Sequence, residues 1–166
     1  SAGCPDVPCE LVGFEHAAVA AGATLVNPGP KLQPEPIAEL MESEKVTIAA
    51  GVPTIWMGVL EELDGRDVSS LRAIPCGGSA MPKSLSEGYK NKIGLPILQA
   101  WGMTETSPLA AIAHVKSAEA NLDEETKADL RASVGTIVPT VEFRICEPHS
   151  IEELPWDGES SGELQV

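Results

Sequence analysis

The sequence predicts an α/β fold: a mostly parallel sheet with flanking helices, followed by the start of a small β subdomain. Three observations predict it. Over residues 23–100, short apolar runs alternate with amphipathic segments in the order β-α-β-α-β-α-β. The links between them are short, as right-handed crossovers between parallel strands require. From about residue 132 the pattern changes to brief runs of period two. These shifts divide the chain into a central α/β subdomain, residues 1–131, and a partial β subdomain, residues 132–166.

Residues 1–10 are polar, rich in Pro and Cys, and read as a loop. A helix of small residues is expected over 14–21. A short buried strand is expected over 23–26, closed by Asn27-Pro28-Gly29-Pro30. Residues 34–45 form a helix pattern with Ile37, Leu40 and Met41 on one face and Glu35, Glu39 and Glu42 elsewhere. A strand follows over 46–49, stopped by Gly51 and Pro53. The next helix carries Ile55, Trp56, Val59, Leu60 and Leu63, with Thr54 as its expected cap. Residues 64–67 turn the chain into a third strand over 71–74. Pro82 suits the start of a helix over 82–93, because it has no N–H to satisfy, and Gly94 ends it. The fourth strand covers 97–100. Beyond it a strand is expected over 109–115 and a helix over 123–130. In the last part, Val141, Phe143 and Ile145 alternate with Glu142 and Arg144, as in a half-buried strand. Residues 147–162 read as a solvent-facing acidic loop with Trp156 as its one apolar anchor. The sequence stops within an apparent strand at Leu164-Gln165-Val166, so a longer parent protein is expected.

Composition narrows the function. Hydrophobic residues make up 43% and charged residues 22%, an ordinary soluble balance. With 25 acidic against 11 basic side chains the formal charge is −14, which excludes broad nucleic-acid binding and disfavours an anionic membrane surface. No apolar run approaches the ~20 residues of a membrane-spanning helix. Cys4, Cys9, Cys76 and Cys146 form no CxxC pair, so neither a zinc site nor a disulfide framework is expected. With no evident signal peptide, the expected location is cytoplasmic.

Two stretches carry the chemistry, and both follow apolar runs. Gly77-Gly78-Ser79-Ala80 lies between a strand and a helix. Glycines there let a flat ligand approach the backbone, and the free N–H groups of the next helix favour an anion; a plain tight turn is the structural alternative. It is neither a GxxxxGK[ST] phosphate loop nor a dinucleotide fingerprint. Trp101-Gly102-Met103-Thr104-Glu105-Thr106 is the second stretch. Trp101 is suited to stacking on a planar ring or to filling a core. Thr104 offers a hydroxyl to a phosphoryl oxygen, and Glu105 a hard oxygen to magnesium or a solvated carboxylate. In a parallel sheet both loops leave the same end, where ligands bind. Trp56 and Met57, on a helix, suit a core. His16, His114 and His149 are isolated, and Ser79 lacks the GxSxG elbow, which leaves hydrolase chemistry without a nucleophile.

With both loops laid out, the sequence resembles the adenylate-forming (acyl-CoA synthetase, AMP-binding) superfamily, and most closely its fatty-acyl-CoA ligases. The runs AAVAAGATLVNPG, VTIAAGVPTIW, LRAIPCGGSAMP, QAWGMTETSP, SVGTIVPTVEFRI and GELQV carry the resemblance, in family order from Ala17 to Val166. The resemblance implies an enzyme that activates a carboxylic acid with ATP and Mg2+ as an acyl-adenylate and passes the acyl group to coenzyme A. By that resemblance Gly77, Gly78 and Ser79 line the adenine and acyl pocket. Trp101 faces adenine, and Gly102 and Met103 line the adenylate path. Thr104 contacts phosphate and Glu105 associates with magnesium. Trp56 belongs to a segment near the acyl pocket, together with Gly78 and Gly102. The stretch CPDVPCELVGFEH departs from the family's aromatic-histidine loop, and His16 does not replace it. The family's phosphate loop would lie upstream, and its ribose-binding aspartate and C-terminal lysine domain downstream. The 166 residues alone are therefore expected to lack adenylation activity and, with apolar edges exposed, to self-associate. The other open reading is a non-catalytic folded module that keeps a vestigial nucleotide or acyl pocket or serves in assembly.

Overall fold

The computed structural model describes residues 12–166, so the expected loop over residues 1–10, with Cys4 and Cys9, lies outside the described residues. Five helices are described: α1 (Val12–Ala20), α2 (Pro34–Ser43), α3 (Pro53–Glu62), α4 (Lys83–Ile93) and α5 (Glu124–Ala132). The strands are β1 (Pro75–Cys76), β2 (Leu98–Gly102), β3 (Leu109–Ile112), β4 (Thr136–Ile137), β5 (Arg144–Cys146) and β6 (Glu163–Gln165).

The chain is α/β, and its four-stranded sheet runs β1-β2-β3-β4. The first half is parallel: β1 pairs with β2, and residues 48–51 lie beside β1 through Ile48↔Ala73 and Gly51↔Cys76. The second half is antiparallel, β2 with β3 and β3 with β4. The sheet is therefore mixed. The reason is the link from Gly102 to Leu109, which is too short for the crossover a parallel partner needs, so β3 folds straight back. β5 and β6 make a separate antiparallel pair with Ile145 opposite Leu164.

The strand expected over 23–26 does not form. No strand pairs with it among the described residues, and Leu25 is 47% exposed. A short apolar run becomes a strand only where a neighbour accepts its ladder. The strand expected over 46–49 is reduced to a single bridge at Ile48, with a second just beyond it at Gly51, and the one expected over 71–74 pairs a little later, at Ala73 to Cys76.

The helices follow their apolar spacing. Ile37 and Met41 on α2, Trp56 and Val59 on α3, and Leu85 and Tyr89 on α4 point into one core with Ile74, Cys76 and Ile97. Each such fully buried side chain stabilises the fold by roughly 1.5–3 kcal/mol relative to exposure. Thr54 does not cap α3. Val52 holds the cap position in extended geometry, and Pro53 opens the helix where no N–H is needed. Gly94 closes α4 at φ 76, a left-handed conformation that costs glycine little. Trp156 does not anchor the acidic loop, since it is 61% exposed. Leu154 does, through its N–H to Ile145 O at 2.8 Å and its half-buried side chain.

Candidate active site

Three connections leave the same end of the sheet. Gly51–Pro53 follows the segment beside β1, Gly77–Met81 follows β1, and Gly102–Pro108 follows β2. The Gly77 N–H donates to Gly51 O at 3.1 Å, which ties the first two together. The two chemistry-bearing loops thus sit on adjacent parallel strands, as their positions after apolar runs predict.

Gln99 joins these two loops. It is 6% exposed, and its Oε1 accepts the Met81 N–H at 2.7 Å. Its Nε2 donates to Ala100 O at 3.2 Å and reaches Ser79 O at 3.4 Å. One buried amide therefore fixes the glycine loop to the strand that carries Trp101. From the sequence Gln99 is expected only as part of the strand over 97–100. The available signal was a glutamine inside an otherwise apolar run, which must find partners if it is buried. Gly78 has φ 84, so the loop does need glycine at that position.

Trp101 is half-buried and packs edge-to-face with Phe143, ring centroids 5.7 Å apart at 79°. The strand register shifts between Trp101 and Gly102, a bulge that re-aims the chain as the loop begins. Gly102 passes so close to the returning strand that a Cβ there would lie 1.7 Å from Pro108 O. The following 3-10 turn, Thr104–Thr106, is closed by Thr106. The Met103 N–H lies 2.9 Å from both Thr106 Oγ1 and Pro108 O. The Thr106 hydroxyl donates to Pro108 O at 2.6 Å, with Met103 O at 3.0 Å. Ser107 sits at φ 58, an uncommon conformation for a residue with a side chain. Tied in this way, the loop carries Thr104 and Glu105 on its exposed side.

Glu105 and Thr106 line an open groove of about 780 Å3, walled further by Leu109, Val141 and Glu142. Gly77, Gly78, Ser79 and Trp101 do not line it. The structure brings the glycine loop and the Trp101 strand together through Gln99, and puts Glu105 and Glu142 on one groove. Trp56 stays apart from both. It is 3% exposed, its ring meets Tyr89 at 6.3 Å, and a Cβ on Gly51 would lie 3.0 Å from it. Its Nε1–H has no acceptor among the described residues. Beneath the glycine loop, burial pushes the Cys76 thiol up to about 12, so it is no nucleophile at neutral pH.

Two carboxylates on one groove suit magnesium, which takes one or two carboxylates and completes its shell with phosphate oxygens and water. Among the described residues no group of three or more His, Cys, Asp or Glu side chains could hold a metal alone. A metal arriving with a nucleotide fits this donor set better than a resident one. No described helix is long and apolar enough to cross a membrane.

Residues 8–166 match the family described as AMP-binding enzyme, and the chain belongs to it. Within that family its relatives are adenylate-forming acyl-CoA ligases. The chain is 39% identical over 153 residues to the long-chain-fatty-acid–CoA ligase of Thermus thermophilus, covering 91% of this chain and 28% of that protein. It is 37% identical over 156 residues to the medium-chain-fatty-acid–CoA ligase of Ectopseudomonas oleovorans, covering 93% and 28%. The fold matches the crystal structure of a long-chain-fatty-acid-CoA ligase from Archaeoglobus fulgidus at TM-score 0.67 and 21% identity, over 94% of this chain and 31% of that one. The chain thus spans little more than a quarter of the length of these curated relatives.

Proposed function

We propose that these residues supply the centre of the adenylate site of a fatty-acyl-CoA ligase that uses ATP, Mg2+ and coenzyme A. In this reading residues 1–131 are the central α/β subdomain and 132–166 a partial β subdomain. ATP supplies the adenylyl group that turns a carboxylate, a poor acyl donor, into a mixed anhydride that a thiol can attack. The part played by this chain is positional and electrostatic. Trp101 offers a ring to adenine, and Gly77, Gly78 and Ser79 a close backbone wall. Gly102 and Met103 line the path between them. Thr104 would donate to an α-phosphate oxygen, and Glu105, with Glu142 on the same groove, would hold a magnesium ion that offsets the phosphate charge. Gly78 and Gly102 border the acyl group, with Trp56 supporting the wall from the core.

The observation that carries the reading is the shared anchoring of the two loops by Gln99, which holds the glycine turn against the Trp101 strand. In this reading the 166 residues, which span 28% of the length of the Thermus thermophilus relative, hold the adenylate but do not by themselves form it. Pyrophosphate release by the purified chain is the test. None above background is expected with a fatty acid, ATP and Mg2+. Acid-dependent release would overturn that part of the proposal. Glu105→Gln is expected to weaken Mg-ATP binding by about tenfold, the loss of one charge-assisted contact, with an unchanged melting temperature. Equal Mg-ATP affinity in wild type and E105Q would remove Glu105 from the metal site.

A further inference from the structure

Phe143, between β4 and β5, has no role in the adenylate reading, yet it is the ring against which Trp101 rests. The two meet edge-to-face, centroids 5.7 Å apart at 79°, and both side chains are half-buried. The chain has only 3 Trp, 1 Tyr and 2 Phe, so two rings meeting beside a ligand loop are not the by-product of an aromatic-rich core. The other ring pair among the described residues, Trp56 with Tyr89, does belong to the core, with both side chains buried.

Two features make Phe143 a support for Trp101. The first is the backbone at Trp101. The register with β3 shifts between Trp101 and Gly102, so the ladder that would fix side-chain direction is broken beside this ring. Its orientation then depends on what the ring packs against. The second is that Phe143 is anchored on both sides. Before it, the Val138 N–H donates to Ala110 O at 2.9 Å and the Val141 N–H to Val138 O at 3.1 Å. After it, Arg144 pairs with Gln165 across β5 and β6, and its Nε–H donates to Gln165 Oε1 at 3.0 Å. A ring held by its flanks can hold a second ring in place.

We infer that Phe143 is a positioning residue, which acts on the nucleotide through the orientation it gives the Trp101 indole. The inference rests on the reading that Trp101 faces adenine. An indole free to change rotamer must be ordered when the base arrives, and that ordering weakens binding; one already set by Phe143 escapes the loss. Leucine at 143 would keep an apolar side chain but lose the positive ring edge that gives the contact its direction.

Calorimetric titration with a nonhydrolysable acyl-adenylate mimic, together with 19F NMR of the chain labelled with 5-fluorotryptophan, tests this. Trp101→Ala and Trp156→Phe assign the resonances of Trp56, Trp101 and Trp156. Phe143→Leu is expected to bind the mimic about fivefold more weakly, and Phe143→Tyr to stay within about twofold of wild type. The Trp101 resonance is expected to move in F143L and return in F143Y, with Trp56, Trp156 and the melting temperature unchanged. Where W101A abolishes binding, three results overturn the inference and leave Trp101 in the site: equal affinity in wild type and F143L, an unmoved Trp101 resonance, or a loss that F143Y does not restore. A lowered melting temperature with all the resonances displaced assigns Phe143 to packing alone and also overturns it. No binding to wild type, or equal binding to W101A, is a different failure: it removes Trp101 from an adenylate site and takes this role of Phe143 with it.

Discussion

Gln99 and Thr106 carry more of the site's geometry than the residues that would touch a ligand. Gln99→Leu would keep the volume but leave the Met81 N–H buried without its acceptor. That change should destabilise the chain by about 1–3 kcal/mol in urea unfolding and also loosen the glycine loop. Thr106→Val should cost a similar ~1–3 kcal/mol and release the Met103 amide to faster hydrogen exchange, with Thr106→Ser restoring it. Gly102→Ala places a methyl against Pro108 O and should cost about 1–3 kcal/mol as the hairpin yields. An unchanged urea midpoint in any of the three would refute the corresponding contact. Trp101, Thr104 and Glu105 stand out in the sequence because an aromatic ring, a hydroxyl and a carboxylate after an apolar run are chemically conspicuous types. Gln99 and Thr106 do not, because their partners are backbone groups supplied by segments distant in the chain or by a turn whose shape the residue types do not state.

Elements held together by charge behave differently from those held by burial. α5 docks on α4 through Lys83 with Asp129, Lys90 with Glu124, and Arg131 with Glu87. Its N-terminus is capped by Asp123, whose Oδ1 accepts the Thr126 N–H at 2.9 Å. Hydrogen bonds from Lys90 and then Lys127 hold the Glu124 carboxyl down to about 2. A depressed carboxylate stabilises the fold above its ordinary value and loses that contribution as pH falls through the folded value. Amides of α5 should therefore lose exchange protection between about pH 4.5 and pH 2, before those of α3. Loss of protection in α3 first would contradict this. The helices were legible from spacing alone, since Ile37 with Met41 and Leu85 with Tyr89 fix their buried faces. The strands were less so. Residues 23–26 and 46–49 have the right composition, but whether a run joins a ladder depends on neighbours the run does not encode.

For the whole molecule, the α/β class and the order of elements followed from the alternation of patterns, whereas the switch from parallel to antiparallel pairing came from one short link after Gly102. Val19, Leu25 and Leu32 are 70%, 47% and 51% exposed along one early stretch of chain. Exposed apolar area of this kind favours association. Light scattering should show mass rising with concentration, and a constant monomer mass would contradict that expectation. The central claim, that the glycine loop and the Trp101 strand form a working half of an adenylate site, is tested most directly by calorimetric titration with a nonhydrolysable acyl-adenylate mimic. The account predicts saturable binding that Trp101→Ala abolishes while the chain still melts cooperatively. No binding to the folded wild-type chain, or equal binding to W101A, would contradict it.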